Sequence, residues 1–241
     1  MTHPPQALRI GPFRVKSFDA PALMAQIYKR IARGQHSLLF FANTNFVVTC
    51  AGFADRFDNE RTTIVNDGIG MDLAARLCHG TRFHENLNGT DFIPRLLRGS
   101  PLPLKVFLYG ARPEVALEAS RVVEQRFGQQ VVGLCSGYEP PSTDVCAQIR
   151  AAQPHVVLVA LGNPLQERWI LDNAAELPPA LYVGVGALFD FLAQRAVRAP
   201  HWVRSLRLEW LFRLCHEPRR LWKRYTIDVV KFFRICTSAR A

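Results

Sequence analysis

Short apolar runs rich in β-branched residues alternate with helix-period segments along most of the chain, and this alternation restricts the fold more than any other feature. The runs fall at 37–42, 62–65, 105–109, 131–134, 155–161 and 181–185, each of strand length and bounded by Gly, Pro or Asn/Asp. The last three read as strands buried on both faces, since continuous Val/Leu runs leave no polar side to turn outward. Between the runs lie helical patterns. Leu23, Ile27 and Ile31 recur every four residues in 21–33, a helix runs through Leu73 and Leu77, and Pro113 opens one over 113–127. Further helices start near Ser142, Pro164 and Ala187, and a short extended stretch at 9–18 precedes them all. Strand and helix in alternation with short connections predict an α/β fold: a doubly wound, mainly parallel Rossmann-like sheet.

Several classes are excluded by what the chain lacks. With 21% charged residues and near-zero mean hydropathy, its 241 residues are neither disordered nor fibrous, and suffice for a sizeable core. No apolar run reaches the roughly 18–20 residues of a spanning helix. The best, at 180–193, is interrupted by Asp190. Met1-Thr2-His3-Pro4-Pro5 lacks the basic and apolar regions of a secretory signal, so the chain is expected to stay where it is made. Cys50, Cys78, Cys135, Cys146, Cys215 and Cys236 form no CxxC pair, and read as core thiols of a reducing compartment.

The net charge of +10 is concentrated. Residues 1–194 hold 18 basic against 17 acidic side chains, whereas 195–241 hold 12 basic against Glu209, Glu217 and Asp228. A near-neutral core (1–194) therefore carries a basic appendage (195–241). Trp202, Trp210, Phe212, Trp222, Tyr225, Phe232 and Phe233 interleave the charges, a mixture that fits an interfacial membrane helix or a nucleic-acid surface better than a solvated face. On one continuous helix Arg213, Arg220, Arg224 and Lys231 would share a stripe; Pro218 is placed to break that register by starting a new helix.

In a doubly wound sheet the ligand crevice lies beyond the carboxyl ends of the strands. Polar residues stand there at Asn43-Thr44-Asn45, Asn66-Asp67-Gly68, Tyr109-Gly110, Gly162 to Glu167 and Gly184-Val185-Gly186. There is no Walker lysine loop, Gly68-Ile69-Gly70 is a fragment of a dinucleotide fingerprint, and no His/carboxylate cluster marks a metal. No cofactor and no metal are expected, so a bound diphosphate would be met by Arg/Lys and backbone N–H groups. Asp67 has two readings: a general base facing the crevice, or a cap for the helix beginning near Ile69. Asn45 and Gln166 are either turn residues or partners for sugar hydroxyls.

Seven blocks, IVNDGIGMDLAARL (64–77), NLNGTDFIPRLL (86–97), VFLYGARPEVA (106–116), LVALGNPLQERWI (158–170), YVGVGALFDFLA (182–193), RAP (198–200) and LEWLFRLCHEPRRLWKRY (208–225), taken in order, resemble the WecG/TagA/CpsF glycosyltransferases, glycosyltransferase family 26. The resemblance spans about 8–233. It implies an inverting, metal-independent transfer of a sugar from a UDP-sugar to a polyprenyl-diphosphate-linked sugar, at the cytoplasmic face of the bacterial inner membrane, in surface or exopolysaccharide assembly. It implies Asp67 as the general base and Pro164, Gln166 and Glu167 near sugar and nucleotide. Arg213 and Arg220, with Lys223 or Arg224 next, would approach the diphosphate as the appendage closes. Asn43, Asn45, Asn88, Asp91, Gly110 and Gly162 complete the expected binding set.

The chain departs from the family pattern at Asn43, where a Thr is usual, and at Asn86-Leu87-Asn88-Gly89, where many members read R-x-x-G. Both positions are expected to sense a sugar, so glucosyl transfer stands beside N-acetylmannosaminyl transfer. The resemblance implies an anionic membrane surface as partner, no nucleic acid, and possible self-association. Two rivals follow from the residues alone: a nucleic-acid-binding module using the basic tail, and a nucleotide-dependent oxidoreductase.

Overall fold

The computed structural model describes residues 6–138, 143–195, 200, 203, 209–216 and 218–238, without the side chains of 209, 210, 213, 216, 220, 221, 224 and 225. The strands are β1 (Ala7–Ile10), β2 (Phe13–Lys16), β3 (Ser37–Ala42), β4 (Thr62–Asn66), β5 (Lys105–Gly110), β6 (Gln130–Cys135), β7 (Val156–Ala160) and β8 (Leu181–Gly184). They form one sheet in the order β1-β2-β4-β3-β8-β7-β5-β6. The extended stretch at the N-terminus is an antiparallel β1–β2 hairpin, turned at Gly11 with φ of 58°. Every other neighbouring pair is parallel, as the alternation predicts.

Both faces of the sheet are covered, and the side-chain alternation shows it directly. Leu38, Phe40, Val157, Val159 and Tyr182 enter one apolar cluster; Leu39, Phe41, Val156, Leu158 and Val183 enter the other. The second cluster is closed by α1 (Ala20–Ala32), α4 (Gly89–Arg98), α5 (Pro113–Phe127) and α8 (Leu188–Leu192). The first is closed by α2 (Thr44–Cys50), α3 (Ile69–His79), α6 (Val145–Ala152) and α7 (Leu165–Asn173). Over-wound 3₁₀ structure continues α2 through Ala51–Phe57.

Local chemistry starts these helices where they start. Asp19 Oδ1 accepts the Ala22 N–H at 2.7 Å to cap α1, with Pro21 in its first turn. At α4 the cap is reciprocal: Asn88 Oδ1 accepts the Asp91 N–H at 2.8 Å while its Nδ2 donates to Asp91 Oδ2 at 2.9 Å. Gly128, with φ of 68°, closes α5 in the left-handed conformation. Neither α2 nor α4 is foreseen by apolar periodicity. Ser142 lies outside the described residues; the helix expected from it is α6, capped by Asp144.

One further expectation is corrected, and a second is borne out with a detail added. β6 is not buried on both faces: it is the sheet's edge, and most of its residues are half-buried. Leu73 and Leu77 sit on α3 as predicted but point outward, 46% and 51% exposed, while Met71, Ala74, Ala75 and Cys78 pack inward.

The C-terminal segment forms α9 (Glu209–His216), α10 (Pro218–Tyr225) and α11 (Ile227–Ser238). Pro218 opens a helix, as its missing N–H favours, so the cationic stripe does not run on one continuous helix. α11 packs against α2 and α3, with Phe232 wholly buried, Cys236 buried, and the Cys78 thiol donating to the Cys236 carbonyl at 3.6 Å. Deep burial of a phenyl ring in a close-packed cluster makes it a large stabilising contact. Phe232→Ala is therefore expected to lower unfolding free energy by about 3–5 kcal/mol in urea titration; an unchanged midpoint would mean that α11 lies outside the cooperative core.

Candidate functional site

Six parallel strands, β3 to β8, deliver their carboxyl ends to one edge, and a cavity of about 1290 Å³ opens there. Helices α2, α3, α4, α5 and α7 start at that rim, so their free N–H groups and positive dipole ends face it. Its lining carries the carboxylates Asp67, Asp91, Glu114, Asp190 and Asp228 and the cations Arg112, Arg195 and Lys223.

Asp67 follows β4 directly, and its turn is tied on three sides. Asn66 is fully buried; its Nδ2 donates to the Glu85 carbonyl at 3.0 Å and its own carbonyl accepts the Leu87 N–H at 3.1 Å. The Asp67 N–H donates to the Ala42 carbonyl at 2.7 Å, and the Gly68 N–H to Asn86 Oδ1 at 2.6 Å. Gly68 takes φ of 92°, a conformation that suits glycine, and it occupies the N-cap position of α3. The result is a half-buried carboxylate that lines the cavity, with Oδ2 accepting from Asn43 Nδ2 at 3.3 Å.

Asn43 is held in turn by its role as the cap of α2, where Oδ1 accepts the Phe46 N–H at 3.0 Å. Phe46 is wholly buried among Phe13, Phe40 and Phe57, with ring centroids 5.0–6.4 Å from its own. Aromatic packing thus sets α2, and α2 sets Asn43 and Asn45 at the rim. Asn45 Nδ2 reaches Asn163 Oδ1 in a long contact of 3.5 Å.

The loop after β7 supplies the opposite wall. Gln166 lines the cavity; its Oε1 accepts the Gly186 N–H at 2.9 Å and its Nε2 donates to Glu167 Oε1 at 2.8 Å. Gly184 leaves the room: a Cβ there would stand 2.8 Å from Gln166 Nε2. Asn163 Nδ2 donates to the same Glu167 oxygen at 2.6 Å. Glu167 itself does not line the cavity. It is 1% exposed, with Oε2 buried and without a hydrogen-bond partner among the described residues. Burial pushes its carboxyl up to about 7, against the lowering pull of the bonds from Gln166, its own backbone and Asn163.

Of the residues expected from sequence, Asn43, Asn45, Asp67, Asn88, Asp91, Gly162, Gln166 and Lys223 line this one cavity. Glu167, Pro164 and Gly110 do not. Pro164 occupies the N-cap position of α7. Gly110 is a close approach of backbones: a Cβ would meet the Ala160 carbonyl carbon at 2.5 Å, and its neighbour Ala111 does the lining. Arg213 lies on α9, and Arg220 and Arg224 on α10, but their side chains fall outside the described residues. Lys223, Asp228, Val229 and Phe233 bring α10 and α11 to the mouth.

The sequence gives no site role to Asp190, Arg112 or Arg195, which also line the cavity. Asn86 and Asn163 sit inside blocks already singled out, and their pairing with Gly68 and Glu167 is the missing signal. Arg195 lies on the cavity and pairs with Glu118 at 3.2 Å. Among the described residues no three His, Cys, Asp or Glu side chains group as metal ligands do.

Residues 8–241 match the glycosyl transferase WecG/TagA/CpsF family. The chain is 34% identical over 187 residues to the N-acetylglucosaminyldiphosphoundecaprenol N-acetyl-beta-D-mannosaminyltransferase of Bacillus subtilis (strain 168), covering 73% of this chain and 72% of that protein. It is also 34% identical over 163 residues to the enzyme of the same name from Bacillus spizizenii (strain ATCC 23059 / NRRL B-14472 / W23), covering 67% of this chain and 63% of the relative.

The Glu167 carboxyl carries a stability consequence. Its folded value near 7 exceeds the ordinary 4.5, so the folded state binds more protons between those values, and its contribution to stability falls as pH rises through that window. Glu167→Gln, which cannot ionise, is expected to gain on the wild type by up to roughly 3 kcal/mol between pH 4.5 and 8. Urea unfolding at both pH values reads it; parallel pH profiles for the two proteins would contradict the assignment.

Proposed function

The chain belongs to the glycosyl transferase WecG/TagA/CpsF family, and from that premise we propose that it moves a sugar from a UDP-sugar to a polyprenyl-diphosphate-linked sugar, with inversion and without a metal. It is a glycosyltransferase, not the oxidoreductase or nucleic-acid module that the residues alone left open. The observation that carries the finer reading is Asp67: a half-buried carboxylate at the cavity edge, with Asn43 on one oxygen and its backbone locked by Ala42 and, through Gly68, by Asn86.

In this mechanism the acceptor hydroxyl attacks the anomeric carbon opposite the leaving group. Its proton passes to Asp67, the bond from the anomeric carbon to the diphosphate oxygen breaks, and UDP departs with the electron pair. Negative charge developing on UDP is met by helix N-termini at the rim, by Lys223, and by Arg213 and Arg220 of the appendage. Amides at Asn43, Asn45, Asn163 and Gln166 suit sugar hydroxyls, which both donate and accept. Closure by α10 and α11 keeps water from the donor. The names of the relatives support a lipid-diphosphate acceptor and an N-acetylmannosaminyl donor; Asn43 and Asn86 keep a glucosyl donor in contention.

We read the appendage as the membrane-facing part. No described helix is long and apolar enough to cross a membrane. Yet Leu211, Trp222, Ile227 and Val230 are 41–62% exposed, and Arg219, Lys231 and Arg234 on the same helices are exposed as well. Apolar side chains among cations suit an anionic bilayer surface, here the cytoplasmic face of the inner membrane.

Asp67→Asn is expected to cut transfer by about 10²–10⁴-fold in a panel of UDP-sugars with a short-chain lipid-diphosphate-sugar, scored by product mass, while UDP titration stays near wild type. Wild-type turnover in that variant would remove Asp67 from the base role. Removing residues 196–241 is no clean membrane test, because Phe232 and Cys236 belong to the core. The double variant Trp222→Ser/Val230→Ser is instead expected to weaken sedimentation with phosphatidylglycerol vesicles at least about tenfold. Equal sedimentation would place the membrane contact elsewhere.

A further inference from the structure

Glu167 is adjacent in sequence to a cavity residue yet buried behind the wall, and its contacts give it a task there. Two neutral amides, Asn163 and Gln166, both line the cavity and both donate to the one oxygen Oε1, at 2.6 and 2.8 Å. An amide that gives its NH₂ to one side must present its carbonyl oxygen to the other. Gln166 Oε1 accordingly holds the Gly186 N–H at 2.9 Å, which fixes the turn after β8, and Asn163 Oδ1 faces Asn45. Without an acceptor-only partner Asn163, whose oxygen is met by the long Asn45 contact, could rotate by half a turn and exchange donor for acceptor on the cavity wall at little steric expense; Gln166 is held from both ends, by Glu167 and by the Gly186 N–H.

We propose that Glu167 is a positioning residue: one buried carboxyl orients the Asn163 and Gln166 amides, and so determines which donors and acceptors the crevice presents to the transferred sugar and its acceptor. The inference rests on the crevice being the transfer site, and it adds a residue that never touches substrate. The paired donation explains why an acid stands where an apolar side chain would pack with less penalty. Oε2 has no partner among the described residues, so the carboxyl is held through Oε1 alone. The titratable and charged groups beside it are Cys50 on α2, a thiol that burial pushes up to about 12 and keeps neutral, and Arg168, the next residue on α7. Glu167 is therefore free to change charge near neutrality while the Cys50 thiol stays neutral.

The test uses Glu167→Met, which keeps volume and removes the acceptor, and Glu167→Gln, which keeps an acceptor oxygen and cannot ionise. In the nitrogen-15-labelled full chain, assigned through Asn163→Ala and Gln166→Ala, the two side-chain NH₂ groups are expected to be slow to exchange and to shift together with a midpoint near pH 7. Glu167→Gln should keep the slow exchange and lose the titration; Glu167→Met should lose both. In transfer assays Glu167→Met is expected to reduce kcat/KM about a hundredfold, with Glu167→Gln recovering most of that loss. Combining Glu167→Met with Gln166→Ala should reduce it little beyond the worse single variant, because both break one unit. Unaltered amide signals in Glu167→Met, or losses that multiply in the double variant, overturn the positioning role. Should Glu167→Met fail to fold, slow exchange of both NH₂ groups in wild type and in Glu167→Gln decides instead, and fast exchange of either group in wild type overturns the role. A wild type inactive on every UDP-sugar would sink the proposed donor and leave the amide result standing, so the two failures are distinguishable.

Discussion

A parallel sheet must hide both of its faces, and that requirement organises everything else in this molecule. Strands buried on both sides leave their polar backbone accessible along the two edges where strands begin and end. Because β3 to β8 run the same way, six strand ends and the helix starts that follow them collect at a single rim. Backbone N–H groups, turn glycines and cap amides concentrate there as a matter of connectivity. The chemistry is set by which residues occupy the first two or three positions after the strands, Asn43, Asp67, Ala111, Gly137, Gly162 and Gly186 among them.

The same geometry explains what could be read from sequence. The apolar runs mark β3, β5, β7 and β8 because β-branched residues bounded by Gly, Pro or Asn have few other uses. Asp67 and Gln166 were legible as strand-end polar residues. Glu167 was not separable from Gln166, since successive residues at a helix start point about 100° apart and both here are polar. One turns to the cavity and its neighbour into the core, and composition does not distinguish them. α2 was hidden because Asn43-Thr44-Asn45 reads as a turn, when Asn43 is in fact a cap. β6 was misread because an edge strand can carry the same Val-rich run as a central one. The helix through Leu73 and Leu77 is α3, whose inward face is built from Met71, Ala74, Ala75 and Cys78.

Charge asymmetry in the sequence separates core from appendage at about residue 195, but packing draws the line differently. α11 is core on one side, through Phe232 and Cys236, and cavity rim on another, through Asp228, Val229 and Phe233. Its remaining face exposes Val230, Lys231 and Arg234. One short helix thus joins three environments, so the bilayer contact proposed for the outer face would be coupled mechanically to the cavity mouth through a rigid element. Such coupling needs α11 to be docked by its own buried residues, which accounts for large apolar side chains inside a segment otherwise rich in cations.

The buried Glu167 fits this economy in an unexpected way. A carboxyl held nearly out of water destabilises the fold above neutral pH, and an apolar residue of the same volume would relieve that strain on stability. A carboxyl placed there despite that penalty fits the positioning role proposed for it at the cavity wall, where sites commonly sacrifice stability for fixed orientation. Neutral amides are well matched to sugar hydroxyls but are intrinsically two-faced, since nitrogen and oxygen occupy nearly the same volume. Recognition by amides therefore needs something that cannot exchange donor for acceptor. A carboxyl oxygen receiving two N–H groups satisfies that need from behind the cavity wall, where it does not compete for a ligand.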